Sequence, residues 1–163
     1  MTISDIAACV QACAALVALW YAFSTVEESK KQAIDARENE KKWKTIEACE
    51  RYDTDPILDF ALRSLRAARL SKALDKRPEK YKTDITTVLN YLDGIAISVL
   101  QGVLVESLVR DHIGGIVNSH VERYILSGLA ERAGIELSNY RNLIELDRRF
   151  SLAADRDDIK SKH

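Results

Sequence analysis

The chain has 163 residues, of which 47% are hydrophobic and 30% are charged, and its formal net charge at pH 7 is −1. This length fits one domain of ordinary size with an attached segment, and it excludes two full domains joined by linkers. The balanced charge gives no whole-chain indication of a nucleic-acid-binding protein or of an acidic tail. The charged residues are unevenly distributed along the chain: Asp5 is the one charged residue within residues 1–26, and all the others follow that stretch.

The composition predicts an all-α protein. Two prolines and six glycines leave long stretches rich in Leu, Ala, Glu, Lys and Arg, which is the usage typical of helices. No segment alternates strictly between apolar and polar residues with turn signals on both sides, so a sheet is not expected. The cysteines, Cys9, Cys13 and Cys49, are too scattered for a disulfide framework and favour a reducing environment for the soluble part.

Residues 6–26 predict a single transmembrane helix. The stretch is uncharged, and as a helix it would measure about 30 Å, the thickness of a hydrocarbon core. Trp20, Tyr21 and Phe23 gather near its end, where aromatic rings favour the membrane interface. A secretory signal peptide fits less well, because the leading "MTISD" lacks Lys and Arg. A buried helix of a soluble protein is the remaining alternative.

The flanking charges predict the orientation of this span. Basic side chains follow it and none precedes it, and basic flanks stay on the cytoplasmic side. We therefore expect a single-pass protein of the bacterial inner (plasma) membrane, with its N-terminus outside and its C-terminal domain in the cytoplasm. The basic residues are Lys30, Lys31, Arg37, Lys41, Lys42 and Lys44.

One face of the predicted span is small or polar, and we call it the small-residue face. Small residues let helices approach closely in lipid, and a glutamine facing acyl chains would leave its amide unpaired. Two interpretations stay open: an anchor dimer with Gln11 bonded to its twin, or a bundle of about four chains in which Ser4, Gln11 and Thr25 line an ion path. The face consists of Ser4, Ala8, Gln11, Ala15, Ala18, Ala22 and Thr25.

The remainder is predicted to form a stalk, a helical domain and a tail. Residues 27–50 contain helix formers and no Gly or Pro, and they continue the span as a stalk. Asp55 and Pro56 then suit the start of a new helix over residues 56–76. The predicted regions are residues 1–50 for the span and stalk, 51–150 for the cytosolic helical domain and 151–163 for a flexible tail.

The segment from Arg63 to Lys82 is strongly basic, with Asp75 and Glu79 as its acidic residues. Such a run is usually a solvated helix face. The functional alternative is a site for an anion, either the phosphates of a nucleotide or oligonucleotide or the acidic headgroups of the inner leaflet. The residues assigned to this candidate anion site are Arg63, Arg66, Arg69, Lys72, Lys76 and Arg77.

Three further helices are predicted. The first covers residues 83–110 and is apolar on much of its circumference, which predicts the central helix of the core. Gly114 and Gly115 are predicted to end it, and a second helix covers residues 116–133. Ser138 is predicted to cap the last helix, over residues 138–150, with Leu143, Leu146 and Phe150 facing the core.

Two segments carry a resemblance to a known family. "LNYLDGIAISVLQGVLVESLVRDHIGG" and "YRNLIELDRRF" are similar to a bacterial domain-of-unknown-function family whose members join an N-terminal membrane helix to a small helical cytosolic domain. The likeness covers residues 50–150 and consists of packing patterns, with Asp93 at a position that is often acidic. The layout also resembles the small transmembrane effectors of anti-phage defence, such as the Hailong type, which implies a cytosolic domain that holds a channel shut until a signal arrives.

The sequence predicts no enzyme, no metal and no cofactor. His112 and His120 are eight residues apart, but no cysteine pair or His-Glu-x-x-His spacing completes a metal set. No glycine-rich phosphate loop and no nucleophile motif is present. Cys9 and Cys13 are read as small packing residues.

These patterns favour a homo-oligomeric membrane effector. We expect a gated ion channel or pore, a dimer to tetramer with the tetramer favoured, that an anionic regulator or a protein partner controls through the cytosolic domain. The alternative is a membrane-tethered helical scaffold whose span only anchors it.

Overall fold

The computed structural model describes the backbone of residues 3–161 and the side chains of residues 15–153. These residues form helices and turns without a β-strand, which confirms the all-α prediction. The chain divides into two units, Met1–Glu40 and Lys41–His163. Helix α1, Ile3–Thr54, is continuous and includes residues 27–50 of the predicted stalk.

The second unit contains α2 (Pro56–Leu70), α3 (Ala73–Lys76), α4 (Lys82–Leu100), α5 (Glu106–His120), α6 (Leu129–Arg132) and α7 (Arg141–Ser161). Helix α4 is at its centre and contacts α2, α5 and α7. Ile85, Val88, Leu89 and Leu92 are fully buried along it, which confirms it as the core helix. Pro78–Tyr81 and Leu137–Tyr140 form 3₁₀ turns, and Val121–Leu126 is a π-helical segment.

Helix α2 begins where the sequence predicts and ends earlier. Asp55 caps it, since one carboxylate oxygen accepts the N–H groups of Ile57 and Leu58 at 2.9 and 3.1 Å, and Pro56 is its first residue. The predicted end at residue 76 is wrong. Lys72 has a left-handed backbone with a φ of 56°, which a right-handed helix cannot continue through.

The predicted helix over residues 83–110 is two helices in the structure. Helix α4 ends at Leu100 and α5 begins at Glu106. Gly102 has a φ of +72°, and the N–H groups of the two residues after it both donate to the carbonyl of Ser98. These hydrogen bonds give the Ser98 carbonyl its partners at the end of α4. The turn that they close needs a positive φ at residue 102, which glycine adopts more easily than other residues.

Gly114 and Gly115 lie inside α5, so the prediction that they end a helix is wrong. A Cβ atom on Gly114 would lie 3.3 Å from Cγ of Arg110 and 3.6 Å from Cδ2 of Phe150 on α7. A side chain here would therefore be tight only against Arg110 of the same helix and would make ordinary contact with Phe150, and the backbone at this point remains helical.

The predicted helix over residues 116–133 is also divided. Helix α5 passes directly into the π-helical segment, and Gly128, with a φ of +70°, separates that segment from α6. A left-handed residue ends a helix wherever it occurs, so a continuous helix through Gly128 is excluded.

The start of the last helix differs from the prediction. Helix α7 begins at Arg141, and the carboxylate of Asp93 on α4 accepts the N–H of Leu143 at 3.0 Å. The predicted cap at Ser138 is wrong: among the described residues its hydroxyl accepts no backbone N–H, and it donates to the carboxylate of Glu136 at 2.6 Å. Leu143, Leu146 and Phe150 are buried as predicted.

A buried threonine attaches the end of α1 to the α4–α5 turn. Thr45 is fully buried, its hydroxyl donates to a backbone carbonyl one turn earlier at 2.7 Å, and it accepts the N–H of Val105 at 3.0 Å. Both hydrogen-bonding functions of the hydroxyl are therefore used inside the core.

Two tyrosines make further attachments along α1. The hydroxyl of Tyr91 on α4 donates to the carbonyl of Ala48, and the hydroxyl of Tyr52 pairs with Nε2 of His120 on α5 at 2.6 Å. Positions 45, 48 and 52 recur at helical spacing and share one face of α1. The last turns of α1 are thus part of the second unit.

No helix among the residues with described side chains is long and apolar enough to cross a membrane. Residues 6–14 of the predicted span lie outside that range, as do Ser4, Ala8 and Gln11 of the small-residue face and the cysteines Cys9 and Cys13. In the described part of the stretch, large apolar side chains are more than half exposed: Leu16, Val17, Leu19, Trp20, Tyr21, Phe23 and Val26.

Replacing Thr45 by valine should lower the free energy of unfolding by about 1–3 kcal/mol, because the N–H of Val105 loses its acceptor inside the protein. Urea unfolding of the full chain measures the change. The matched control is Thr54→Val, whose exposed hydroxyl donates to a carbonyl of its own helix at 3.1 Å and should cost less than about 0.5 kcal/mol. Equal losses in both variants would contradict the role assigned to Thr45.

Candidate functional site

A cavity of about 590 Å³ lies between the last turn of α1, helix α2 and the junction of α5 with the π-helical segment. We call it the arginine cavity. Its volume is within the range of small-molecule sites, about 300–1,000 Å³. It is lined by Tyr52, Asp53, Asp59, Leu62, Arg63, Leu65, Arg66, Arg69, His120, Arg123 and Tyr124.

Helix α2 contributes a row of guanidinium groups to the cavity. Arg63, Arg66 and Arg69 recur every three residues, which places them along one side of the helix, beside the buried stripe of Leu58, Ala61, Leu65 and Ala68. Arg63 pairs with Asp59 at 2.9 Å. Arg66 and Arg69 form no ion pair with any residue whose side chain is described.

The π-helical segment contributes the fourth arginine. Arg123 is half-buried, and its guanidinium donates a long hydrogen bond, 3.4 Å, to the hydroxyl of Ser119. Asp53 and Asp59 are the carboxylates of the cavity, against four arginines. The cavity is therefore positively charged, and guanidinium groups bind phosphate and carboxylate oxygens in pairs.

The floor of the cavity is aromatic. Tyr52, His120 and Tyr124 are 8%, 7% and 3% exposed, and the His120 ring lies 6.0 Å from that of Tyr52 and 5.4 Å from that of Tyr124. Nε2 of His120 pairs with the Tyr52 hydroxyl, whereas its Nδ1 is buried without a partner among the described residues.

The cavity keeps these rings neutral at physiological pH. Burial, aided by the positive charge of Arg123, lowers the pKa of His120 to about 4. Burial raises the pKa of Tyr52 to about 12 and also raises the pKa of Tyr124. The floor consequently presents neutral aromatic groups, and the positive charge of the cavity belongs to its arginines.

The structure brings together half of the candidate anion site. Arg63, Arg66 and Arg69 line the cavity, whereas Lys72, Lys76 and Arg77 are exposed on the turn and short helix that follow α2 and do not line it. Their separation follows from the end of α2 at Leu70, since a helix continuing to residue 76 would have kept all six on successive turns.

The described residues of the small-residue face are exposed on α1. These are Ala15, Ala18, Ala22 and Thr25. The hydroxyl of Thr25 donates to the carbonyls of Tyr21 and Ala22 at 3.1 and 2.9 Å, so its hydrogen is directed to its own backbone.

Sequence reasoning missed Tyr52, Arg123 and Tyr124. Tyr52 stands at the end of the predicted stalk and Arg123 in a predicted continuous helix, and neither position carries a local signal. The sequence predicts for His120 a surface or core histidine in preference to a metal ligand, without a place in an anion site. Within the described side chains no group of three or more His, Cys, Asp or Glu residues is placed to hold a metal ion, and His112 is exposed with Nδ1 2.9 Å from the carbonyl of Leu108.

The model of a family described as a domain of unknown function (DUF4760) matches residues 6–125. The chain belongs to this family. The match differs in extent from the expected residues 50–150: it starts within the predicted span and ends before "YRNLIELDRRF". It includes every residue that lines the arginine cavity. No curated protein and no solved structure matches the chain.

The depressed pKa of His120 predicts a loss of stability in acid. The unfolded imidazole takes up a proton near its usual pKa of 6.5, whereas the folded one resists until about pH 4. The stabilisation is therefore complete above pH 6.5 and is lost as the pH falls toward 4, by up to roughly 3 kcal/mol. Urea unfolding of the full chain between pH 7.5 and pH 4 measures it.

His120→Gln should flatten this pH dependence, while His112→Gln, on the exposed side of the same helix, should leave it unchanged. A wild-type profile that His120→Gln does not flatten would show that other groups cause the acid effect.

Proposed function

We propose that this chain is a homo-oligomeric membrane effector whose helical unit binds an anionic regulator in the arginine cavity. The observation that supports this most is the pair Arg66 and Arg69, two guanidinium groups that line a cavity without a carboxylate partner among the described residues. Adjacent positive charges without partners repel each other, so an anion between them is bound favourably.

The proposed regulator carries at least one phosphate group, as a nucleotide or an oligonucleotide does. Arg66 and Arg69 from α2 and Arg123 from the π-helical segment supply several N–H donors from two directions, which suits the oxygens of a phosphate. Phosphate binding by oriented arginines needs no metal or glycine-rich loop.

Regulation is proposed to act through the end of α1. Tyr52 lines the cavity and belongs to α1, while its hydrogen-bond partner His120 precedes Arg123 by less than one helical turn. A regulator that changes the position of Arg123 therefore acts on a group directly bonded to α1. The regulator shifts the equilibrium between the shut and the open state of the effector only if it binds these two states with different affinity.

The membrane part of the proposal rests on residues 6–26. Its uncharged sequence and the exposed apolar side chains of residues 15–26 favour burial of this stretch in lipid or against further copies of the chain. In the proposed bundle the small-residue face lines a gated ion path in the bacterial inner membrane. The resemblance to anti-phage effectors such as the Hailong type favours a role in defence against phage.

A membrane-tethered scaffold is the second candidate function. It is favoured by Thr25, whose hydroxyl is bonded to its own helix and is therefore a weak lining for a water-filled path. In this case the span anchors a dimer or tetramer, and the arginine cavity still binds its ligand or a protein partner.

Replacing Arg66 and Arg69 together with glutamine should weaken binding of pyrophosphate to the detergent-solubilised full chain by about 100-fold, since each lost charge-assisted hydrogen bond costs about 1.4 kcal/mol. Isothermal titration calorimetry measures the affinity. The matched control is Lys76→Gln with Arg77→Gln, which removes the same charge outside the cavity and should change affinity less than about threefold. Equal losses would show a diffuse electrostatic effect, and no binding by the wild type would refute the anion site.

Electrical recording in planar bilayers tests the proposed ion path. The purified oligomer, with or without pyrophosphate, should conduct, and Gln11→Leu should reduce the conductance because it removes a polar side chain from the small-residue face. Val10→Leu, a change away from that face, is the control. If the wild type never conducts and elutes as a dimer, the scaffold function is supported and the channel is rejected.

A further inference from the structure

A second cavity of about 520 Å³ lies beside the arginine cavity and shares Arg69 and Arg123 with it. We call it the side cavity. Its other residues come from α3, α5, the π-helical segment, the turn at Ser127 and α6, and none of them belongs to the candidate anion site or lines the arginine cavity. It is lined by Arg69, Leu74, Asp75, Ser119, Glu122, Arg123, Ser127, Leu129 and Arg132.

The two cavities differ in charge. Arg69 and Arg123 stand at their boundary, so a phosphate in the arginine cavity uses them. The side cavity then keeps Arg132 against Asp75 and Glu122, and neither carboxylate forms an ion pair with a described side chain. A second phosphate would meet net negative charge there, which disfavours it.

The side cavity also has an apolar floor. Leu74 and Leu129 line it; they are 2% and 3% exposed, so a flat or ring-shaped group would contact only the edges of these side chains. Around this floor the carboxylates of Asp75 and Glu122 accept hydrogen bonds, and they match hydroxyl or amino donors. The chemistry of the side cavity is therefore that of a neutral, donor-bearing ring.

We infer that the two cavities together bind a phosphate ester of a ring that carries hydroxyl or amino groups, such as a nucleoside monophosphate or a sugar phosphate. The phosphate lies with Arg66, Arg69 and Arg123, and the ring lies on Leu74 and Leu129. This inference rests on the proposed function, because it requires the phosphate to occupy the arginine cavity.

A ring-bearing phosphate ester and a simple polyanion respond in opposite ways when the carboxylates of the side cavity are replaced. A chain of phosphates would bind by charge alone and would gain affinity whenever a carboxylate is removed. A ring that donates hydrogen bonds to Asp75 and Glu122 loses affinity when those acceptors are weakened, because an amide oxygen is a poorer acceptor than a carboxylate. The sign of the effect of one substitution therefore distinguishes the two.

The test is calorimetric titration of the full chain with inorganic phosphate, pyrophosphate, the four common ribonucleoside monophosphates and glucose 6-phosphate. At least one ester should bind about tenfold tighter than inorganic phosphate. Asp75→Asn combined with Glu122→Gln should weaken that ester about tenfold and leave inorganic phosphate unchanged or tighter. Glu131→Gln, on α6 but outside both cavities, is the control and should change neither.

Esters that bind no tighter than inorganic phosphate would overturn the inference and leave the anion site standing. The same holds if the double variant binds every ligand tighter and pyrophosphate most of all, since the carboxylates would then only repel. Absence of binding for all ligands would overturn the inference and the proposed function together.

Discussion

The hydrogen bond between Tyr52 and His120 is the constraint on which the candidate site depends. It joins the last turn of α1 to the last turn of α5, and the two side chains form the floor between the arginines of α2 and Arg123. Apolar packing alone would allow helices to slide along each other at little cost, whereas a buried polar pair must meet in one register or lose its hydrogen bond. Thr45 and the Tyr91–Ala48 pair fix the same face of α1.

The arginine cavity can remain compact because its floor is uncharged. A charged imidazole beside four arginines would add to their repulsion, and burial together with Arg123 keeps the pKa of His120 far below neutrality. The arginines of α2 avoid most of the remaining cost by staying exposed, since Arg66 and Arg69 extend into water. The positive charge of the cavity therefore lies on the exposed arginines at its rim, above a buried and uncharged floor.

Local signals predicted the parts of the fold that depend on local chemistry. The start of α2 is determined by the adjacent residues Asp55 and Pro56, and both the cap and the first-turn proline are present. The breaks were misplaced because glycine is compatible with more than one backbone conformation: Gly102 adopts a positive φ, whereas Gly114 stays helical within α5. The sequence around each glycine does not distinguish these cases, since the backbone conformation also depends on how the neighbouring helices pack.

The same distinction applies to the site. Arg66 and Arg69 were found because charge accumulates locally along α2. Arg123 could not be found, because its place in the cavity requires α5 to pass into a π-helical segment and to pack beside α2. Tyr52 likewise becomes a site residue only through a hydrogen bond that spans 68 positions. Local sequence patterns do not reveal which distant helices lie side by side, and the cavity forms only where these helices meet.

Helix α1 differs along its length in which side chains are exposed and which are buried. In the first unit, Leu16, Trp20 and Phe23 are each about two-thirds exposed, while in the second unit the polar Thr45 is fully buried. Exposed apolar rings in water are unfavourable by about 25 cal/mol per Å², so the first part of the helix gains from contact with lipid or other copies. The second part already has its hydrogen-bond and packing partners within its own unit. In the proposed effector, a regulator bound beside Tyr52 would act on a helix whose other end is proposed to contact further copies of the chain, and assembly and ligand binding would then bias each other through that one element.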